Sequence, residues 1–141
     1  VGLRKANAVG VIDMAKLELM KTIETGPDAN RLYLNPGNSR YGLFANEAGK
    51  SDIVSIIDTQ LDVKVKDIWT GLGPHNVAFD PDGKFAVIST KKENVATLVD
   101  TGSADPNDWD VITTDLDSGI QNNGVRWVPS PAALKKALAQ N

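Results

Sequence analysis

The chain has 141 residues, of which 41% are hydrophobic, so it has the size and the apolar content to form a core of its own. Basic and acidic residues nearly balance, 15 against 18, and no basic run is present that could neutralise a nucleic-acid backbone, so nucleic acid is excluded as the expected partner. Cysteine is absent, which excludes disulfides, thiolate chemistry and Cys-based zinc or iron–sulfur sites.

The hydropathy of the sequence indicates neither a membrane-spanning segment nor a signal peptide. No apolar run approaches the ~18 residues that a membrane-spanning helix needs, so we expect no membrane span. The chain starts with Val1-Gly2-Leu3, which is neither an initiator Met nor the apolar core of a signal peptide. We therefore expect a chain that is trimmed at its front.

The first predicted elements form half of a repeating unit, within residues 9–25. Residues 9–13 and 17–23 are predicted strands. The helix formers between residues 14 and 21 would favour a helix by themselves. The aligned later segment, residues 59–67, alternates valine with lysine in the manner of a strand. Because copies of a repeat share one fold, we predict a strand here too.

Two complete units follow, residues 26–72 and 73–119, each with four predicted strands. In the second unit the Pro and Gly of the Asp80-Pro81-Asp82-Gly83 turn join the first two strands into a hairpin. In the first unit Asn35-Pro36-Gly37 stands at the same place. The units repeat with a period of about 45 residues, and such a period indicates a repeat architecture.

The pattern begins once more and then stops. Residues 123–129 match the first strand of a further unit. Residues 130–141 predict a short C-terminal helix, because Ser130 can cap its N-terminus and Pro131 stands at the first helical position.

Four antiparallel strands in about 45 residues match one blade of a β-propeller. The predicted fold class is therefore all-β: a β-propeller arc of four-stranded antiparallel blades, with about two full blades, parts of two more and the short C-terminal helix. A propeller closes with at least about four blades, so this chain cannot close a ring alone. We expect a fragment of a larger propeller or completion by other protein chains, with self-association through exposed strand edges and end faces.

The segment GPHNVAFDPDGKFAVIST, followed by NVATLVDT, resembles the YVTN-type repeat of lactonase-like and nitrous-oxide-reductase-like propellers. The resemblance covers roughly residues 9–129, and it departs from the repeat's name-giving tetrad, where this chain has Val-Ile-Ser-Thr. It implies membership of a seven-bladed propeller superfamily and a periplasmic or extracellular location. It also implies that a histidine facing the channel can hold copper.

His75 is the only histidine and precedes a predicted innermost strand. A metal site needs several ligands, yet the aligned positions hold Asn30 and Asn123, so missing blades would have to supply the rest for copper or haem. The three side chains occupy equivalent places and are the candidate ligand-binding groups of the channel mouth. The alternative is that they satisfy backbone groups between blades.

Other polar residues have structural interpretations. Asp13, Asp58 and Asp100 end equivalent strands, and a residue that recurs in every blade indicates turn capping and not catalysis. The acidic loop 105–110 lacks the EF-hand spacing and is interpreted as a solvated loop, with Trp109 anchoring an outer strand.

No Ser or Cys nucleophile with a base partner can be identified, and Gly-x-Ser-x-Gly is missing. We predict a non-catalytic, extracytoplasmic β-propeller module for ligand or protein binding or complex assembly, with no cofactor of its own. The alternative is part of a metal- or haem-dependent redox propeller, similar to nitrous-oxide reductase or nitrite reductase, in which His75 is one ligand.

Overall fold

The computed structural model describes residues 1–118 and 124–126, and its regular structure is β-strand apart from two short 3₁₀ turns. The first sheet has three strands in chain order: β1 (Gly2–Leu3), β2 (Ala8–Asp13) and β3 (Glu18–Glu24). The second has four: β4 (Ala29–Leu34), β5 (Tyr41–Asn46), β6 (Ile53–Asp58) and β7 (Val63–Trp69). The third has four: β8 (Pro74–Phe79), β9 (Phe85–Thr90), β10 (Val95–Asp100) and β11 (Asp110–Asp117).

These sheets confirm the predicted all-β fold of partial propeller blades. Neighbouring strands pair antiparallel in every sheet. In the segment with helical propensity, residues 14–17 form a turn and residues 18–21 belong to strand β3, so the repeat outweighed local preference. The two-residue strand β1 was not predicted, because two residues carry no readable periodicity.

The predicted C-terminal strand and helix lie mostly outside the described residues. Residues 124–126, from the predicted strand 123–129, are described and have no regular structure. The remainder of that strand and the predicted helix 130–141 lie outside the described residues and stay predictions. Within the described ranges, no helix has the length and apolarity that crossing a membrane requires.

The central strands of the second sheet are apolar on both faces, and this lets sheets stack on either side of it. Every residue of β5 is buried, and in β6 all but the first residue is buried. Strands with both faces covered read as continuous apolar runs, as Tyr-Gly-Leu-Phe-Ala-Asn does here. The outer strand β7 instead alternates valine with lysine and is largely exposed at its start.

Two separate cores result, one on each side of the second sheet. Between the second and third sheets the buried core comprises Tyr41, Leu43, Val54, Ile56, Ile68, Val77, Ala86, Ile88, Val99 and Trp109. Between the first and second sheets it comprises Val9, Ile23, Ala29, Phe44 and Ile57. Alternate residues of β5, Leu43 and Phe44, therefore point into different cores, as the pleat of a strand requires.

The predicted aspartate caps are present at all three strand ends. Asp13 Oδ1 accepts from the amide nitrogens of residues 15 and 16, at 2.9 and 3.1 Å. Asp58 Oδ1 accepts in the same way from those of residues 60 and 61, and Asp100 Oδ1 from that of residue 102 at 2.9 Å. Each carboxylate holds the turn after its strand, which confirms the structural interpretation.

The Asp-Pro-Asp-Gly turn also ties the second and third sheets together. Gly83 has a left-handed backbone, with φ of +70°, and its carbonyl oxygen accepts from Asn35 Nδ2 and Thr101 Oγ1, each at 2.8 Å. A Cβ on Gly83 would lie 1.8 Å from Asn35 Oδ1, so only glycine fits this close approach. Asn35 is 1% exposed and is thus a buried link between two hairpin turns.

Trp109 anchors the start of β11, as predicted. Trp109 is 1% exposed, and its Nε1 donates to the carbonyl oxygen of Ser103 at 2.9 Å. The ring meets that of Tyr41 edge to face, with centroids 6.1 Å apart, across the interface between the second and third sheets. The other outer-strand tryptophan, Trp69, is 68% exposed.

We predict that Trp109→Ala lowers the free energy of unfolding by about 3–5 kcal/mol, because it leaves a large cavity in the core. Trp69→Ala is the matched control and should lower it by less than about 1 kcal/mol, since its side chain is mostly in water. Urea denaturation followed by far-UV circular dichroism measures both. Equal losses for the two variants would contradict the packing described here.

Candidate functional site

Asn30 and His75 lie at the same structural position in consecutive sheets. Each stands in a β-bulge of the first strand of its sheet, where the pairing register shifts between Ala29 and Arg31 in β4 and between Pro74 and Val77 in β8. A bulge re-aims the side chain that it carries, and bulges are common beside functional sites. The equivalence that the sequence predicted for these two residues is therefore present in the backbone.

Both side chains meet at Glu47, which directly follows β5. The Glu47 side chain is 9% exposed, and its carboxylate accepts from Asn30 Nδ2 on one oxygen and from Lys91 Nζ on the other. His75 Nε2 lies 3.4 Å from Glu47 Oε1. We call Asn30, Glu47, His75 and Lys91 the Glu47 network. It joins the second sheet to the third, because two members come from each.

Asn76 fixes the orientation of the His75 ring. Its Nδ2 lies 3.0 Å from His75 Nδ1, and its Oδ1 accepts from Tyr33 Oη at 2.5 Å and from Arg31 Nη1 at 3.2 Å. An amide nitrogen can only donate, so Nδ1 is the acceptor and the neutral ring carries its proton on Nε2. That proton faces Glu47.

A second ion pair lies between the first and second sheets. Arg4 directly follows β1, and its Nε and Nη2 donate to the two carboxylate oxygens of Asp28 at 2.5 and 2.7 Å. Asp28 precedes β4, in the link between the sheets. This bidentate pair is more exposed than the Glu47 network, since 55% of the Arg4 side chain is in contact with water.

The pKa values show how these contacts act on the carboxylates. Burial by itself would raise the pKa of Glu47, but the hydrogen bond from Lys91 and the nearby positive charges outweigh it, so this pKa lies below its ordinary value. The hydrogen bond from Arg4 lowers the pKa of Asp28. Both groups are therefore held as anions at neutral pH.

The network does not have the form of a metal site. Both ring nitrogens of His75 have polar neighbours, Glu47 at Nε2 and Asn76 at Nδ1. Among residues 1–118 and 124–126, no group of three or more His, Cys, Asp or Glu side chains could hold a metal ion. The residues present thus do not fit a copper or haem ligand set. Asn123, the third predicted site residue, lies outside the described residues.

Sequence reasoning placed Asn30 and His75 correctly in relation to each other but missed the carboxylate between them. Glu47 stands at the end of the second strand of its blade, where no motif marks it. Arg4, Glu47 and Lys91 occupy this same position in three consecutive sheets, directly after β1, β5 and β9. Charged residues of alternating sign at one repeat position were the signal that could have found the network.

At the level of sequence, no protein-family model and no curated protein matches the chain. In structure the chain is similar to hydrazine synthase of Kuenenia stuttgartiensis, with a TM-score of 0.63 and 25% identity over 79% of this chain and 33% of that one. It is also similar to the dihydro-heme d1 dehydrogenase NirN in complex with DHE, with a TM-score of 0.67 and 18% identity over 87% and 26%. A third neighbour is a putative 6-phosphogluconolactonase from Bacteroides fragilis, with a TM-score of 0.57 and 20% identity over 80% and 34%.

These similarities establish a fold of the β-propeller type. The chain spans only about a quarter to a third of the length of these three proteins. The likeness thus applies to an arc of blades. Membership of the YVTN family stays a prediction, since it rests on the resemblance of the repeat alone.

The lowered pKa of Glu47 predicts a pH-dependent contribution to stability. Because the folded protein binds this proton more weakly than the unfolded chain, whose Glu pKa is about 4.3, the contribution is complete above that pH and is lost as the pH falls through the folded pKa. Glu47→Gln should lower the free energy of unfolding at pH 7 by about 1–3 kcal/mol, since Lys91 loses its charged partner.

Urea denaturation of wild type and Glu47→Gln between pH 7 and pH 3 measures this contribution, and the difference between the two should shrink below about pH 4. Glu18→Gln, in an exposed part of β3, is the control and should change little at any pH. A Glu47→Gln difference that stays constant down to pH 3 would show that the carboxylate charge has no part in it.

Proposed function

We propose that this chain is a non-catalytic β-propeller module that works by assembly: its end sheets pack against further blades, and the completed face binds a ligand or a protein. The observation that carries the proposal is the exposure of the outer face of the first sheet. In the second and third sheets the equivalent face is closed by a neighbouring sheet.

One repeat position shows the difference between a covered and an uncovered face. Ile57 in β6 is 2% exposed and packs on the first sheet, and Val99, at the same place in β10, is 0% exposed and packs on the second. Their equivalent in β2 is Ile12, which is 42% exposed. The residue type suits burial at all three places, and only the first lacks a covering sheet among the described residues.

Ile12 belongs to a larger apolar surface, which we call the end face: Val1, Leu3, Ile12 and Leu19. Ile12 pairs with Leu19 across β2 and β3. Side-chain atoms of Val1, Leu3 and Leu19 lie 3.0–3.3 Å from where a Cβ on Gly10 would stand, so they share the face of Gly10. Val1 and Leu19 are 64% and 57% exposed. Exposed apolar side chains that share one face support an interaction site there.

The ligand-binding part of the proposal concerns the residues of the channel mouth. Asn30, His75 and Asn123 would line it in a closed ring, since the first strand of a blade is the innermost one. Glu47 holds the Asn30 and His75 side chains in place, so a ligand would meet polar groups that are already oriented. The YVTN resemblance supports a periplasmic or extracellular site of action.

The alternative is a redox propeller with His75 as a metal or haem ligand. Two structural neighbours are the dihydro-heme d1 dehydrogenase NirN and a hydrazine synthase. The contacts of His75 with Glu47 and Asn76 do not favour this role, because ligation would require one of them to be given up. The assembly role requires no such change.

We predict that the purified chain associates in a concentration-dependent manner through the end face. Ile12→Asp and Leu19→Asp should each weaken this association at least about tenfold, because a carboxylate cannot be buried there without a partner, while thermal stability stays nearly unchanged. Leu61→Asp is the matched control, since Leu61 is 61% exposed but lies in a turn away from the end face. Sedimentation equilibrium measures the association constants.

A chain that is monomeric at every concentration, or one that Leu61→Asp weakens as strongly as Ile12→Asp, would contradict the assembly role. The complete gene product offers a second measurement. There Ile12→Ala should cost about 2–4 kcal/mol of unfolding free energy if a blade covers the end face. A cost below about 0.5 kcal/mol would show that nothing packs on it.

A further inference from the structure

The position directly after β1, β5 and β9, which we call the rim position, carries charges of alternating sign. Arg4 is the rim residue of the first sheet, Glu47 that of the second and Lys91 that of the third. All three lie at the same end of the stacked sheets, because each follows the equivalent strand. Rim charge therefore alternates from one blade to the next.

At the interface between the second and third sheets, this alternation forms a direct contact. Lys91 of the third sheet donates to Glu47 of the second sheet. The contact lies beside the core between these sheets and excludes water from Glu47, which is 9% exposed. At this interface one blade docks on the blade before it through an apolar face and a complementary rim charge. Between the first and second sheets the rim residues, Arg4 and Glu47, also have opposite charges, but Arg4 donates to Asp28.

Arg4 stands in the first sheet where Lys91 stands in the third. It is the cationic rim residue of a sheet whose outer apolar face, the end face, is uncovered in the described residues. Its guanidinium donates to Asp28 through Nε and Nη2, and 55% of its side chain remains exposed. By analogy with Lys91, the rim residue of the blade on the end face would lie next to Arg4.

We propose that the end face takes a β-sheet blade whose rim residue is a carboxylate, as Glu47 is for Lys91. The inference rests on the assembly role proposed above and adds the charge of the partner. A second copy of this chain is therefore a weaker partner for the end face than such a blade, although its apolar side chains still fit. A copy docking by its third sheet would bring its own Lys91 to Arg4, and two cations next to each other at an interface cost binding energy.

The test reverses the sign of the rim charge and uses the chain itself as the probe. Arg4→Glu gives the end face an anionic rim, which is complementary to Lys91 of a second copy. Its association constant should rise about tenfold over wild type in about 20 mM salt, and the gain should disappear in about 0.5 M salt. Arg4→Gln should give a smaller rise. Lys5→Glu changes the net charge equally and should have no such effect, which makes it the matched control.

Sedimentation equilibrium at both salt concentrations, with melting temperatures for each variant, decides between the outcomes. If Arg4→Glu and Arg4→Gln associate no more strongly than Lys5→Glu, the rim-charge proposal is overturned. The double variant Arg4→Glu with Ile12→Asp separates this proposal from the previous one. Loss of association in the double variant supports the end face itself, whatever the single Arg4 variants show.

Discussion

Each complete sheet of this chain has two apolar faces, and each face is buried only when another sheet packs against it. Leu43 and Phe44 are neighbours in β5, are 0% and 1% exposed, and belong to two different cores. A single sheet cannot bury both, because successive side chains point to opposite faces. Stacking is therefore a condition for stability, and each added sheet creates a new face that requires the next.

The same constraint explains why the Glu47 network lies where it does. The apolar faces end where the stacked strands end. Beyond that point polar side chains fill the interface between the sheets. A carboxylate that is nearly buried costs free energy unless donors surround it. Glu47 has Asn30 of its own sheet and Lys91 and His75 of the next. Such a contact can form in only one relative placement of two sheets, so it specifies how they align.

Similarity to known structures is consistent with this modular view. The hydrazine synthase, the dihydro-heme d1 dehydrogenase and the 6-phosphogluconolactonase-like protein share the arrangement of blades at 18–25% identity with this chain. One fold therefore supports several chemistries, and function has to be argued from the side chains at the ends of the strands. In this chain those side chains are engaged in joining sheets.

The sequence by itself determined the repeat, the four-stranded unit, the capping role of Asp13, Asp58 and Asp100, and the equivalence of Asn30 with His75. These follow from local patterns, since strand alternation and turn residues act over a few positions and a repeat lets one copy correct another, as β3 shows. Only the tertiary structure decided that Glu47 lies between Asn30 and His75 and that Ile12 is exposed where Ile57 and Val99 are buried. Both facts depend on which sheet lies next to which, and residues about 45 positions apart become neighbours only when the sheets stack.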